Sequence, residues 1–517
     1  MHRIIFLPKF LWLKRIFKII VEIIMSRLNQ ANMAALPADV ILPRYDRCNL
    51  KAGIVHLGIG AFHRAHQAYY TEAVLNQFGG DWGIIGCSLR SANVRDQLAP
   101  QDGLYTLVER SGDSEQLQLI GAVVKSLVGP ENPAELVEVM AQPNIKIISM
   151  TVTEKGYCHD PATGNLNSLH PDIQHDVEHL EAPISAIGFL VAALNARFKA
   201  GVKSFTVLSC DNLPNNGEVL EKVVVQFAKR VSQELAAWIS ANTCFPSTMI
   251  DRIVPATTDD DRRDIEAHLG VRDEGVVITE PFTQWVIEDK FSDGRPPWEK
   301  VGALLVNDVR VFEKIKLRLL NGAHSTMAYT GYLSGFDYVS EVMNEPAFVT
   351  MIKTYMAREA GETLIAPAGF DIEAYKRQLC QRFSNKALKH RTWQIAMDGS
   401  QKLPQRMLES LRAQLKTNGH IDIICLGVAA WIRYISGVDE QGNTIDVSDP
   451  LAAELRTLCE VNAGNTEATV RAIVGLPKVF GEDLIHEEIF IANTIGWLER
   501  FYAQGVLKTI QTEFHAT

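Results

Sequence analysis

Short, largely apolar runs that alternate with longer amphipathic segments constrain this chain more than any other feature. Residues 53–57, 83–87, 145–152 and 204–208 are such runs, bounded by Gly, Asp and Asn, the pattern of strands buried on both faces of a parallel sheet. Between them, residues 65–78, 134–141 and 184–200 carry helical spacing. That order predicts right-handed βαβ units and an α/β first domain over residues 25–295. From about residue 298 the strand signal fades, and residues 309–332, 341–360 and 452–473 read as helices. A mostly α-helical second domain over 296–517 is expected, its start marked by the turn cluster Asp293-Gly-Arg-Pro-Pro.

With 517 residues, 47% of them apolar, the chain has material for a large core, and with a formal net charge of −10 it lacks the basic surface a nucleic-acid partner requires. Its eight cysteines are scattered, with no close pair of the kind that zinc sites and redox motifs use. Reduced thiols and a cytoplasmic location are expected. Residues 1–24 mix apolar clusters with Lys9, Lys14, Arg15 and Lys18, which interrupt every run that would span a membrane. They are expected to be an N-terminal extension outside the fold. The alternative is a membrane-surface helix presenting Lys14, Lys18 and Glu22 on one face; no stable membrane association is expected.

The segment from Ile54 to His66 sets a strand before a Gly58-Ile-Gly60 turn and a helix after it. Glycines there let the backbone approach a pyrophosphate, and the helix start favours its charge. The expected domain is therefore Rossmann-like, with Gly58, Gly60, Ala61 and Phe62 against the cofactor. His63 occupies the place of the usual third glycine. No acidic residue ends the second strand. Arg90 stands there instead, as a partner for a 2′-phosphate or as a solvated surface arginine, so the expectation is NAD with NADP left open.

Two further strand ends carry polar clusters, Thr151-Val-Thr153-Glu-Lys155 and Ser209-Cys-Asp211-Asn212. Open α/β sheets hold ligands outside the carboxyl ends of their strands, although plain turns also use Asp, Asn and Gly. Thr153 and Lys155 are candidates on the cofactor side.

Glu313-Lys-Ile-Lys316-Leu-Arg-Leu-Leu-Asn321-Gly-Ala-His324 lies in a helical pattern. On an α-helix, Asn321 falls about 140° and His324 about 80° around from Lys316, with an axial rise of about 12 Å from Lys316 to His324. Those three side chains would border one cleft of the length of an open-chain hexose, or would simply face solvent on an amphipathic helix. Gly322 inside this helix hints at the close approach of another group. Oxidation of an alcohol requires removal of its proton. Zinc would need a ligand cluster, and none of the twelve tyrosines is followed four residues later by Lys. A lysine serves when burial lowers its pKa.

The chain resembles the polyol-specific long-chain dehydrogenase/reductase family, also called the mannitol dehydrogenase family, from about residue 50 to residue 500. The stretch Gly58 to His66, the stretch Phe245-Pro-Ser-Thr-Met-Ile-Asp251-Arg-Ile-Val-Pro255, and the spaced Lys316, Asn321 and His324 carry the resemblance. It implies Lys316 as general acid/base, Asn212 and Asn321 polarising the reacting oxygen, His324 and Asp251 in the substrate site, and a metal-free reaction. Glu313 would share a face with Lys316, or form a surface ion pair with Lys314 or Lys316.

Within the family, His390 to Arg406 is most similar to the fructuronate reductases, and Gln394 stands where polyol members typically carry Arg. Arg391, Lys402 and Arg406 would supply positive charge for a substrate carboxylate. The resemblance thus implies interconversion of D-fructuronate and D-mannonate, and a monomer or homodimer is expected. Mannitol 2-dehydrogenase or altronate dehydrogenase activity is the alternative within the family, and an NAD-binding sensor without catalysis the alternative outside it.

Overall fold

The computed structural model describes residues 26–112, 114–160, 163–367 and 369–515. The expected N-terminal extension therefore lies outside the described residues. Eleven strands are β1 (Ala52–Leu57), β2 (Gly83–Ser88), β3 (Tyr105–Ser111), β4 (Ser114–Ile120), β5 (Val123–Val128), β6 (Ile147–Met150), β7 (Thr206–Ser209), β8 (Thr248–Asp251), β9 (Val277–Thr279), β10 (Gln284–Glu288) and β11 (Leu304–Val306). The central sheet is all parallel in the order β5-β2-β1-β6-β7. Alternate residues of β1 enter different cores. Val55 and Leu57 pack beneath helices Pro133–Ala141, Ala186–Ala200 and Asn216–Val231, and Ile54 packs with Ala65, Ala68 and Val74 of the opposite layer. Apolar residues on both faces explain why these strands read as unbroken runs. The first lobe is thus a Rossmann-like sheet with helices on both sides, as expected.

Two small sheets, β4-β3-β9 and β11-β10-β8, extend this lobe. The second pairs β11 with β10, so strand pairing continues to Val306 and the helices begin at Arg310. Beyond it the chain is helical: Gly322–Leu333 and Glu488–Gln504 both pack on Asp422–Ile435, which is buried along nearly its whole length. The helix expected over 341–360 restarts at Pro346, which sits at the start of its own helix. That expected over 452–473 breaks before Asn465, which caps the next helix, beside Gly464 at φ +82°. The segment expected over 309–332 is helical from Arg310 onward but not α throughout: Lys316–Asn321 is a π turn.

Candidate functional site

Strand order reverses beside β1, where β2 lies on one side and β6 on the other. Both strands end at this crevice, β1 in Gly58-Ile-Gly60 and β6 in Thr151-Val-Thr153, the usual ligand position of an open α/β sheet. Gly58 has φ +95°, and a Cβ there would stand 2.1 Å from the Thr151 carbonyl oxygen. Nothing in the protein demands glycine at 60. Its added Cβ would meet only Gly58 O at 3.8 Å, and Gly60 is exposed at the start of helix Ala61–Ala65, which no side chain caps. A bare backbone cradle with uncapped amides suits an approaching pyrophosphate. Ala61 and Phe62 are half-buried along it.

His63 is buried and stacks on His56, with ring centroids 3.5 Å apart. His56 bridges Ser149 and Thr151 at 2.8 Å each, and Thr151 Oγ1 donates to the Gly58 carbonyl at 2.8 Å. Burial pushes the His56 pKa down to about 3, so a neutral imidazole holds the turn. Arg90 is exposed two residues beyond β2. Thr153 has φ +64°, and its amide donates to Asp211 Oδ1 at 2.9 Å, with the Val152 amide on Oδ2 at 3.1 Å. Asp211 thereby ties the ends of β6 and β7 together. The Lys155 ammonium lies 3.3 Å from Asp398 of the helical lobe, so its partner in this structure is a carboxylate across the cleft.

Lys316 is 5% exposed and donates to Asn212 Oδ1, which follows β7. The structure thus joins two side chains 104 residues apart. Burial lowers the Lys316 pKa to about 8; Asp251 opposes that shift, and Arg406 and Arg382 reinforce it. Glu313 is buried rather than paired with Lys314: its carboxylate accepts the Asn215 amide at 3.1 and 3.2 Å, and burial raises its pKa to about 7. Asn212, Glu313 and Lys316 line one small cavity with Asp211, Thr248 and Leu317.

The π turn changes the helical geometry expected for this segment. Where backbone bonds run five residues back, the fifth residue takes the place the fourth has in an α-helix, so Asn321 stands over Lys316 rather than about 140° away. Asn321 and His324 are buried, and Asn321 Oδ1 and His324 Nε2 have no protein partner. The His324 ring packs 4.6 Å from Phe383 and 5.3 Å from His390. Burial, then the charges of Arg382, Arg406 and Lys316 together with His390, hold it neutral. Both histidines line a hollow with Ile253, Ser340 and Arg382.

Asp251 ends β8 as the partner of a residue that sequence reasoning missed. Arg382 grips it with two bonds of 2.7 and 2.8 Å and holds Glu280 with two more of 2.7 and 2.9 Å; Tyr375 donates to Asp251 at 3.2 Å. Burial alone would raise the Asp251 pKa, but Arg382 more than offsets it and keeps the carboxylate ionised. No sequence signal marks this triad, because its members lie in β8, after β9 and in helix Ile372–Phe383.

Arg406 is buried, with one bond of 3.2 Å to Ser325 Oγ, and its Nε has no partner. Lys402 donates only to the Ile395 carbonyl at 3.4 Å, and burial, then Arg406, lowers its pKa to about 8. Among the described residues no carboxylate stands within ion-pair distance of Lys316, Lys402 or Arg406. Arg391 is separate from them: it is exposed, 5.7 Å over the Tyr338 ring, in a groove with Pro255 and Gln394. That groove and the histidine hollow share Leu388. No described residues gather as three or more metal-ligating groups.

Known proteins share this arrangement of lobes. A model of the mannitol dehydrogenase Rossmann domain matches residues 52–300, and one of the mannitol dehydrogenase C-terminal domain matches residues 308–502. The D-mannonate oxidoreductase of Escherichia coli is 45% identical over 91% of this chain and 97% of its own. An uncharacterised oxidoreductase of the same bacterium is 48% identical over 90% and 95%. Among solved structures, the ternary complex of Pseudomonas fluorescens mannitol 2-dehydrogenase with NAD and D-mannitol has a TM-score of 0.89 at 38% identity, covering 94% of this chain and 99% of that one.

Proposed function

The chain belongs to the mannitol dehydrogenase family of oxidoreductases, and on that premise we propose that it interconverts D-fructuronate and D-mannonate with NAD(H), Lys316 being the proton-transfer group. The observation that carries the reading is the set of cations beside the helical hollow. Among the described residues neither Lys402, half-buried, nor Arg406, buried, forms an ion pair, and a cation withdrawn from water without a partner is unfavourable until an anion reaches it. A sugar acid brings that anion; mannitol does not. The 45% identity to a D-mannonate oxidoreductase supports the same substrate class, as does Gln394 in place of arginine.

The bare Gly58–Gly60 cradle suits the pyrophosphate of NAD(H), with Ala61 and Phe62 beside it, Thr153 on the facing strand end, and Arg90 and Lys155 at its margins. When bound, the cofactor would supply or accept the hydride. The protein's task is the proton and the charge. In the reductive direction the Lys316 ammonium gives a proton to the carbonyl oxygen as that oxygen gains charge; in the oxidative direction the neutral amine takes it back. A pKa of about 8 makes both forms available near neutrality. Because Asn212 accepts from Lys316, its amide NH2 is left to donate to the reacting oxygen, and Asn321 adds a second amide above it. His324, neutral, donates or accepts at a substrate hydroxyl. Asp251, with its oxygens engaged by Arg382 and Tyr375, acts on the site through its charge.

The test is a panel of D-fructuronate, D-tagaturonate, D-fructose and D-xylulose with NADH and NADPH, followed by absorbance. The hexuronates should lead. Replacing Lys402 or Arg406 with Met removes a charge-assisted contact of about 2 kcal/mol, or roughly thirtyfold in kcat/KM for the acid, with little effect on a neutral ketose. Preference for an uncharged ketose would defeat the carboxylate reading, and tight NAD binding with no turnover of any sugar would favour the sensor.

A further inference from the structure

Three π turns meet at one point of the helical lobe. They are Lys316–Asn321, Tyr355–Glu359 and Pro404–Leu408. Each is closed by a backbone bond five residues back: Gly322 N–H to Leu317 O, Ala360 N–H to Tyr355 O, and Glu409 N–H to Pro404 O. Single π turns inside α-helices are uncommon and frequently sit at functional sites. The third has a local cause, since Pro404 has no N–H with which to continue the α ladder. The first has none in its own sequence: Lys-Leu-Arg-Leu-Leu-Asn is good helix-forming material.

Its cause lies across the interface. The buried Tyr355 hydroxyl donates to the Arg318 carbonyl at 2.9 Å. In an uninterrupted α-helix that same carbonyl would receive the Gly322 N–H, four residues on. Here the phenol occupies it, and the Gly322 N–H is shared between the carbonyls on either side, Leu317 and Leu319. Gly322 is the residue that permits this, because a Cβ on it would lie 2.0 Å from Tyr355 Oη and 2.8 Å from the Arg406 carbonyl oxygen. Arg406 in turn extends its guanidinium to Ser325, one turn further along the same helix. Thus one glycine admits both the phenol that sets the helical register and the backbone that carries a substrate-side cation.

We infer that Tyr355 is a positioning residue: its hydroxyl holds the π register that stacks Asn321 over Lys316, and so aligns the proton-transfer group with the amide that polarises the reacting oxygen. This rests on the acid/base assignment of Lys316 made above. Tyr355 itself need not touch substrate or cofactor. It competes with the helix for one carbonyl, and the helix yields an extra residue per turn where the chemistry needs Lys316 and Asn321 on one side.

Tyr355→Phe removes the hydroxyl and little else. The expected result is a fall in kcat of tenfold or more at saturating substrate, KM and the NAD dissociation constant changed less than threefold, and a displaced basic limb in the pH profile of kcat. A crystal structure of the variant should show Gly322 N–H returned to the Arg318 carbonyl. Gly322→Ala, which pushes the phenol away from the other side, should give the same split, and the double variant should be no worse than the more impaired single one. A Tyr355→Phe enzyme with an unmoved pH profile and full kcat, altered only in melting temperature, overturns the inference, as does a variant structure retaining the π turn. If Lys316→Ala keeps its turnover, the acid/base reading fails by itself and takes this inference with it. If Lys316→Ala is inactive while Tyr355→Phe is normal, only the positioning role falls.

Discussion

Asp251→Asn separates two roles open to a carboxylate beside a sugar site, direct contact and action through charge. In the structure its oxygens are taken by Arg382 and Tyr375, not open to the hollow. Removing one partner of a buried ion pair costs about 3–5 kcal/mol when the other is left alone. Here Glu280 retains two bonds to Arg382, so the loss should fall near the lower end, about 3 kcal/mol. The second consequence is electrostatic. Asp251 is the leading charge that favours the Lys316 ammonium, and at an effective dielectric of about 20 a single opposite charge across such a site contributes on the order of 1–2 kcal/mol. The limb of the oxidative pH profile, which follows formation of the neutral amine near pH 8, should therefore move about one pH unit toward acid. Urea melts give the stability loss, and kcat for D-mannonate oxidation between pH 5 and 10 gives the shift. An unmoved limb with a large rise in KM would refute the reasoning and return Asp251 to direct contact with the substrate.

Other perturbations test other joints. Gly58→Ala places a Cβ 2.1 Å from the Thr151 carbonyl oxygen at φ +95°; it should cost at least about 2 kcal/mol and weaken NAD binding, measured by calorimetry, more than it weakens the acid substrate. Glu359 accepts both the Ile423 and Ile424 amides at 2.7 Å, so Glu359→Ala should cost about 3 kcal/mol in chemical denaturation. Burial raises the Glu359 pKa from 4.5 to about 7 in the fold, so its contribution is full below 4.5 and declines as pH rises through about 7. The difference between wild type and variant should accordingly be larger at pH 5 than at pH 8.

The parallel sheet was legible because its strands are apolar on both faces: β1, β2, β6 and β7 fall within one or two residues of the expected runs. The antiparallel pair β3 and β4 was harder, since β4 opens with three exposed residues and only its far end is buried. Lys316, Asn321 and His324 were legible as a spacing, but their angular relation was not. The π turn that corrects it is imposed by Tyr355, 37 residues away from Arg318 in sequence. The same holds for Arg382, Tyr375 and Glu280, whose roles exist only once β8, the loop after β9 and helix Ile372–Phe383 are brought together. Lys402 and Arg406 were legible as charges. What sequence did not carry was that neither finds a carboxylate partner among the described residues.

Whether the Lys316 nitrogen exchanges the substrate proton is read from Lys316→Ala kinetics between pH 6 and 10. The variant should lose about 10²- to 10⁴-fold in kcat and the limb near pH 8, keep its NAD affinity, and recover in part with small primary amines in the buffer. Turnover close to wild type across that range would contradict that role.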